Sequence, residues 1–125
     1  MILLLDAHTV VWWIANDPTL SAEARAAIAD AANDVLVSAA TVWEIEIKRA
    51  LGRLDSPDDL LERIDRAGFT PIPITTADAL RAARLPAHHR DPFDRMLVAQ
   101  ATAHDAVIVS RDSAFDGYGT HVLRA

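Results

Sequence analysis

Four acidic residues of this chain stand beside or within apolar segments, where a carboxylate needs a partner. They are Asp6, Glu44, Asp94 and Asp112. Oxygen ligands suit hard divalent cations such as Mg²⁺ or Mn²⁺. Such cations can clamp a scissile phosphate and activate water without a covalent intermediate. If the fold brings these acids together, they indicate metal-dependent hydrolysis of a phosphodiester.

The first and last of these acids follow predicted strands. Ile2–Leu5 and Ala106–Val109 are short apolar runs, which are typical of strands buried on both faces of a sheet. Asp6 comes directly after the first run, and Asp112 ends the polar segment after the second. Because ligands bind outside the carboxyl ends of parallel strands, where the strand order switches, we expect both acids at one cleft.

Asp94 lies at the start of a predicted helix. Asp91 is a good N-cap, and Pro92 suits the first helical position because its missing N–H would be unpaired there anyway. Asp94 then falls in the first turn, among unpaired N–H groups and the positive end of the helix dipole. The alternative is that Asp91 and Asp94 only start the helix.

Glu44 belongs to a helix that Ser38 caps and Gly52 ends. At about 100° per residue, Glu44 lies within an apolar stripe, whereas Glu46 points away from it. The other members of the stripe are Ala40, Trp43, Ile47, Ala50 and Leu51. A carboxylate placed there predicts a pocket, because burying it unpaired is expensive. The alternative is a glutamate that reaches past the stripe to solvent or to an arginine.

Together, four carboxylates in one cleft would repel each other, and without a cation one would have to take up a proton. The adjacent histidines His88 and His89 resemble a metal-binding pair. One such pair in a loop is usually solvated, so the site is predicted without them. The residues alone therefore indicate divalent-metal phosphate chemistry.

Strands alternate with helices along the whole chain. Besides the two strands above, the patterns predict one at Asp34–Val37, a last edge strand at Thr120–Leu123, and an edge strand or extended linker at Phe69–Ile74. Helices are predicted at Thr9–Ala15, Ser21–Ala32, Ser38–Leu51, Ser56–Gly68 and Thr76–Leu85, and from Pro92 onward. This alternation predicts a single α/β domain over residues 1–125, with a mainly parallel sheet of about four to five strands and helices on both faces.

The composition limits the possible partners and compartments. A net charge of −6 argues against a broad basic surface for a nucleic-acid backbone, so direct DNA binding by this chain alone is not expected. The chain has no cysteine and no apolar run near the length of a membrane span, and we expect a cytoplasmic protein. The apolar content of 51% suggests that some apolar surface serves a partner. Of the neighbours Trp12 and Trp13, we expect one in the core and one at an interface, and the alternative is a single large core groove for both rings.

Four segments of the chain resemble the PIN-domain family, and specifically VapC-type toxins of bacterial toxin–antitoxin pairs. The segments are Leu3-Leu-Leu-Asp-Ala-His8, Val37-Ser-Ala-Ala-Thr-Val-Trp-Glu-Ile45 with Lys48-Arg-Ala-Leu-Gly52, His89-Arg-Asp-Pro-Phe-Asp-Arg-Met-Leu-Val-Ala-Gln-Ala101, and Val109-Ser-Arg-Asp112 with Phe115. By this resemblance Asp6, Glu44, Asp94 and Asp112 match the family's metal-binding acids. Asp116 matches a further acid of some members. The resemblance also implies Mg²⁺-dependent cleavage of RNA, with Mn²⁺ as a substitute, a homodimer, and a cognate antitoxin protein.

One residue departs from the family pattern. Ala7 stands where the family usually has Thr or Ser directly after the first acid. A hydroxyl beside the metal must then come from Thr9 or Ser110, or be absent. Basic side chains that could guide RNA phosphates are Lys48, Arg49, Arg53, Arg90, Arg95 and Arg111, unless they are ordinary surface groups.

Two other functions remain open from the sequence. Phosphoaspartyl chemistry also uses an aspartate at a strand end, but it needs a lysine late in the chain, and the only lysine is Lys48. A catalytically silent PIN-like module would keep the fold and bind RNA or protein without cleavage. The presence of all four acids argues against the silent module, and Ala7 argues slightly for it.

Overall fold

The computed structural model describes the whole chain, Met1–Ala125, around a sheet of five parallel strands. The strands are β1 (Ile2–Leu5), β2 (Asp34–Ser38), β3 (Thr70–Ile72), β4 (Val107–Ser110) and β5 (Val122–Arg124). Their order across the sheet is β3-β2-β1-β4-β5, and every neighbouring pair is parallel. The predicted α/β fold is confirmed. The two edge strands are β3, which contains a proline, and the short β5, and an unpaired backbone group costs least at an edge.

Six helices cover the two faces of this sheet. They are α1 (Ala7–Ile14), α2 (Ala22–Ala29), α3 (Ala39–Ala50), α4 (Leu60–Arg66), α5 (Thr76–Ala83) and α6 (Pro92–His104). Alternate side chains of each strand point to opposite faces, so the apolar runs fill two cores. On one face, β1 residues Leu3 and Leu5 pack with apolar residues of α1 to α4. On the other face, Leu4 packs with α6.

Two predicted helix bounds were wrong, each for a local reason, and one short helix was missed. Helix α1 begins at Ala7 because the Asp6 side chain is itself the N-cap. Helix α2 ends at Ala29 rather than near Ala32, because the Asp30 carboxylate accepts from the backbone N–H of Ala32 and forms a turn. A short 3₁₀ helix, Ser113–Tyr118, was not predicted.

Helix α4 begins at Leu60 rather than after Ser56, and the cause is a neighbouring arginine. Arg49 donates a hydrogen bond to the Ser56 carbonyl and pairs with Asp58, which holds this segment outside the helix. Asp59 at the helix start makes no capping hydrogen bond, because its carboxylate pairs with Arg63 at 2.8 Å.

The strand order switches at β1. From β1 the chain winds outward through β2 to β3 on one side, and through β4 to β5 on the other. The carboxyl ends of β1 and β4 therefore face the crevice where helices leave in opposite directions, which is the expected ligand position in an open parallel sheet. None of the helices is long and apolar enough to cross a membrane.

Candidate metal centre

The four predicted acids open into one cleft at the carboxyl ends of β1 and β4. The cleft has a volume of about 350 Å³. Its lining residues are Asp6, Ala7, His8, Trp12, Glu44, Lys48, Asp91, Asp94, Arg111 and Asp112. Asp116 is exposed in the 3₁₀ helix and does not line the cleft, so the structure does not place it with the other acids.

Asp6 is held from both sides by hydroxyl groups. Its Oδ1 accepts the backbone N–H of Thr9 at 3.0 Å and lies 2.6 Å from the Thr9 hydroxyl. Its Oδ2 accepts from the Ser110 hydroxyl at 2.5 Å. Thr9 and Ser110 are fully buried, so these contacts fix the carboxylate in one orientation. Thr9 and Ser110 thus both supply the hydroxyl contact to Asp6 that Ala7 cannot make.

Glu44 is buried, and its partner in the cleft is Lys48. The Lys48 Nζ lies 2.6 Å from Glu44 Oε2, one helical turn away on α3. This hydrogen bond raises the pKa of Lys48, and the nearby Asp91 and Asp94 raise it further. The only lysine of the chain therefore places a firmly charged ammonium among the acids.

The predicted stripe of α3 was correct for Glu44 and wrong for its neighbour Trp43. Trp43 is 61% exposed, whereas Thr41 and Ile45 are buried. The helix is rotated toward the sheet by one residue, and the Trp43 ring instead contacts Phe93 edge-on at 5.2 Å. The apolar pattern alone does not show this rotation, because Trp43 counts as apolar whether its ring packs in the core or lies at the surface.

Asp94 lies in the first turn of α6 behind the predicted cap. The Asp91 Oδ1 accepts the backbone N–H groups of Phe93 and Asp94 at 2.8 and 3.1 Å, which confirms the N-cap. Burial raises the pKa of Asp94 to about 6, and the charges of Asp91 and Glu44 act in the same direction, although a hydrogen bond with His89 opposes them. Its surroundings thus resist a further negative charge, as expected for crowded acids.

His89, which was left out of the predicted site, lies beside the cleft and contacts Asp94. Its Nε2 lies 2.5 Å from Asp94 Oδ2. One ligand atom each from His89, Asp94 and Asp112 lie within 4.8 Å of one another. The adjacent His88 is exposed and stacks on Tyr118 instead. His89 is five residues before Asp94 across an irregular loop, where no helical or strand period indicates which histidine turns inward.

Residues 3–120 match the family described as PIN domain. The chain belongs to the PIN-domain family. A curated relative, "Ribonuclease VapC22" of Mycobacterium tuberculosis, is 32% identical over 117 residues, which cover 88% of this chain and 86% of the relative. "Ribonuclease VapC16" of the same organism is 37% identical over 68 residues, or 48% of each chain. The resemblance to VapC-type PIN domains seen in the sequence is confirmed.

Solved structures share the PIN fold at low sequence identity. The DNA-bound VapBC of Salmonella typhimurium matches at 17% identity with a TM-score of 0.73, over 99% of this chain and 98% of that one. The VapBC2 of Rickettsia felis, bound to a promoter DNA fragment, matches at 13% identity with a TM-score of 0.71 and the same coverage. At such identities these matches establish the fold of the PIN domain and not its chemistry.

The donor chemistry of this PIN-domain cleft fits a divalent cation. Carboxylate oxygens line it, and cationic or N–H groups already stand against two of them, the Lys48 ammonium at Glu44 and the imidazole at Asp94. Those contacts mark the positions where positive charge relieves the repulsion of the acids. Asp6, Glu44, Asp94 and Asp112 are therefore the residues that could hold a metal.

Only two of the predicted basic residues face the PIN-domain cleft, Lys48 and Arg111. The Arg111 guanidinium lies 4.7 Å from the centre of the Trp12 ring and donates to the carbonyls of Thr19 and Ala125. Arg95 has a structural role, since it donates to five backbone carbonyls, those of Ala82, Ala83, Leu85, Pro86 and His89.

The remaining arginines and the tryptophan pair differ from expectation. Arg49 pairs with Glu46 and Asp58 outside the cleft, and Arg53 and Arg90 are exposed. Trp12 and Trp13 are both half-buried against the core, so neither is fully buried, and an interface role for one of them stays a prediction. Trp12 lies at the mouth of the cleft, where its ring is 5.5 Å from that of His8.

Proposed function

We propose that this PIN-domain protein is a divalent-metal-dependent endoribonuclease and the toxin of a type II toxin–antitoxin pair. The observation that carries the proposal is the convergence of Asp6, Glu44, Asp94 and Asp112 on one cleft, in a chain related over most of its length to a ribonuclease. The reaction is hydrolysis of an RNA phosphodiester: water adds to phosphorus, and one P–O bond to the chain breaks.

In this proposal Asp6, Glu44, Asp94 and Asp112 hold Mg²⁺, with Mn²⁺ as a substitute. The cation supplies charge that neutralises the scissile phosphate and promotes ionisation of the attacking water. The Thr9 and Ser110 hydroxyls keep Asp6 in a fixed orientation, so little reorganisation accompanies binding.

Two basic groups and two rings are available to the RNA strand. The Lys48 ammonium and the Arg111 guanidinium face the cleft, where they offset the negative charge of the phosphates. His8 and Trp12 are beside Arg111 and offer ring faces on which an unpaired base can stack. Recognition of a single strand by few contacts agrees with a chain whose net charge is −6.

The proposed protein partner is a cognate antitoxin. A similar fold occurs in the "Toxin-antitoxin complex from Klebsiella pneumoniae", with a TM-score of 0.65 and 20% identity over 97% of this chain. In the present chain, α3, α4 and β3 form an apolar groove that includes Trp43 and Leu61, both 61% exposed. An antitoxin segment covering this groove would remove both side chains from water. We also expect a homodimer.

Incubation of bulk RNA with wild-type protein and with Asp94→Asn, each with Mg²⁺ or with chelator, tests the proposed activity. Cleavage only by wild type with metal supports the proposal, and mapping of RNA ends in cells after brief induction then identifies the target. Binding of RNA by wild type without any cleavage would instead indicate the catalytically silent module.

A further inference from the structure

His89 lies in an irregular loop beside the acidic cleft, and its side chain contacts Asp94, one of the assigned ligands. We propose that His89 Nε2 is a direct metal ligand together with Asp94 and Asp112. The centre is then a mixed nitrogen and oxygen site that prefers Mn²⁺ and similar transition metals over Mg²⁺. This inference rests on the proposed metal centre, and it adds a ligand and a metal preference.

The spacing of the three donor atoms suits a single ion. Ligand atoms about 2.1 Å from a six-coordinate ion lie roughly 3 Å apart when adjacent and about 4.2 Å apart when opposite. The donor atoms of His89, Asp94 and Asp112 all lie within 4.8 Å of one another. The limit of 4.8 Å is slightly wider than the largest spacing around one ion, so the three side chains must draw together when a metal binds.

Two hydrogen bonds to residues outside the loop hold the backbone of His89 in place. Its backbone N–H donates to the Tyr118 hydroxyl at 2.8 Å, and its carbonyl accepts from Arg95 at 3.1 Å. Its side chain is only 23% exposed. A histidine that merely fills a surface loop has no need of such anchoring, and the neighbouring His88 has neither contact with the acids nor comparable burial.

The donor type determines the metal preference. Imidazole nitrogen is a good ligand for first-row transition metals, and affinity of a nitrogen-containing site increases along that series. Mg²⁺ prefers oxygen and keeps much of its water, so it gains little from the imidazole. Removing the nitrogen should consequently weaken Mn²⁺ binding and leave Mg²⁺ binding nearly unchanged.

His89→Gln separates coordination from simple hydrogen bonding. The glutamine amide can still donate a hydrogen bond to Asp94 but lacks a nitrogen lone pair for a metal. His88→Gln is the matched control, because it changes the adjacent histidine without touching the cleft. If His89 only positions Asp94, glutamine should largely replace it.

Electron spin echo spectroscopy of the Mn²⁺-loaded full-length protein reads the ligand directly, without any activity measurement. We expect ¹⁴N coupling in wild type and in His88→Gln, its change to ¹⁵N coupling on labelling with ¹⁵N-histidine, and its loss in His89→Gln. In titrations followed by the signal of free Mn²⁺, His89→Gln should bind Mn²⁺ about tenfold more weakly than wild type. Competition with Mg²⁺ in the same titration should show that the Mg²⁺ affinities of the two proteins differ by less than about twofold.

The outcomes distinguish this inference from the proposed function. Mn²⁺ binding that Asp94→Asn abolishes, but without histidine coupling, would overturn the inference and leave the acidic metal centre intact. Equal loss of Mn²⁺ and Mg²⁺ affinity in His89→Gln would overturn the preference. Absence of Mn²⁺ binding, or binding that Asp94→Asn leaves unchanged, would remove both the inference and the proposed centre.

Discussion

Neutralising Asp94 should stabilise the metal-free protein at neutral pH. The pKa of Asp94 is raised from 3.8 to about 6, mainly by burial. At 1.36 kcal/mol per pKa unit, the ionised carboxylate costs the folded state up to about 3 kcal/mol. The cleft is open to water, which screens part of this cost, and asparagine gives up roughly 0.3–1 kcal/mol of interaction with the helix dipole. We expect Asp94→Asn to gain about 1–2 kcal/mol.

The stability that Asp94→Asn gains over wild type should change with pH over a defined range. Between 3.8 and about 6 the folded wild type retains a proton that the unfolded chain has lost. The free energy of unfolding of wild type therefore falls as pH rises through this window, and the penalty is complete above it. The advantage of Asp94→Asn should be full at pH 7.5 and should largely disappear near pH 4.5.

Denaturant and thermal unfolding in chelator, at both pH values, measure the effect, and a gain of this size corresponds to about 4–8 °C in Tm. Glu23→Gln is the control, since Glu23 is an exposed acid in the first turn of α2. It should lose a few tenths of a kcal/mol without this pH dependence. Added Mn²⁺ at about 100 times Kd should stabilise wild type by roughly 2.7 kcal/mol and Asp94→Asn by much less. An Asp94→Asn protein that is destabilised at pH 7.5, with an undiminished Mn²⁺ shift, would show that Asp94 only starts the helix.

Four other predictions test the remaining assignments. RNA cleavage in a gel assay should be abolished by each of Asp6→Asn, Glu44→Gln and Asp112→Asn, with the far-ultraviolet circular dichroism spectrum unchanged. Asp116→Asn should keep activity, because Asp116 lies outside the cleft. Loss of activity in Asp116→Asn would contradict this placement. Asp91→Ala should lose roughly 0.5–2 kcal/mol in denaturant unfolding and only part of the activity, because it removes a helix cap; full inactivation would make Asp91 a ligand. Arg95→Lys should cost about 1.5–3 kcal/mol, since an ammonium cannot serve five carbonyls, and an unchanged melting curve would refute this role. Light scattering at micromolar concentration should give the mass of a dimer, and a monomer would refute that expectation.

Much of the fold followed from local patterns. The strands observed at Ile2–Leu5 and Val107–Ser110 were predicted, the second as Ala106–Val109, because a continuous apolar run is typical of a strand covered on both faces of a sheet. The Asp91 cap and the Pro92 start were predicted because capping involves groups two or three residues apart. The start of α4 was missed because Arg49, which lies on α3 seven residues before Ser56, holds the segment that would have begun the helix.

The sequence by itself determined the alternation of strands and helices, the positions of Asp6 and Asp94 at element ends, and the family. These depend on the chemistry of neighbouring residues and on parallel strands ending at one edge. The pair of Glu44 and Lys48 is also local, because the two residues are four positions apart on α3. Tertiary structure alone decided that Ser110 holds Asp6 across 104 positions, and that His89 rather than His88 contacts the acids. Such contacts depend on how loops and helices rotate once the core is packed, because burial energy constrains the apolar side chains and leaves the direction of polar ones to the final arrangement.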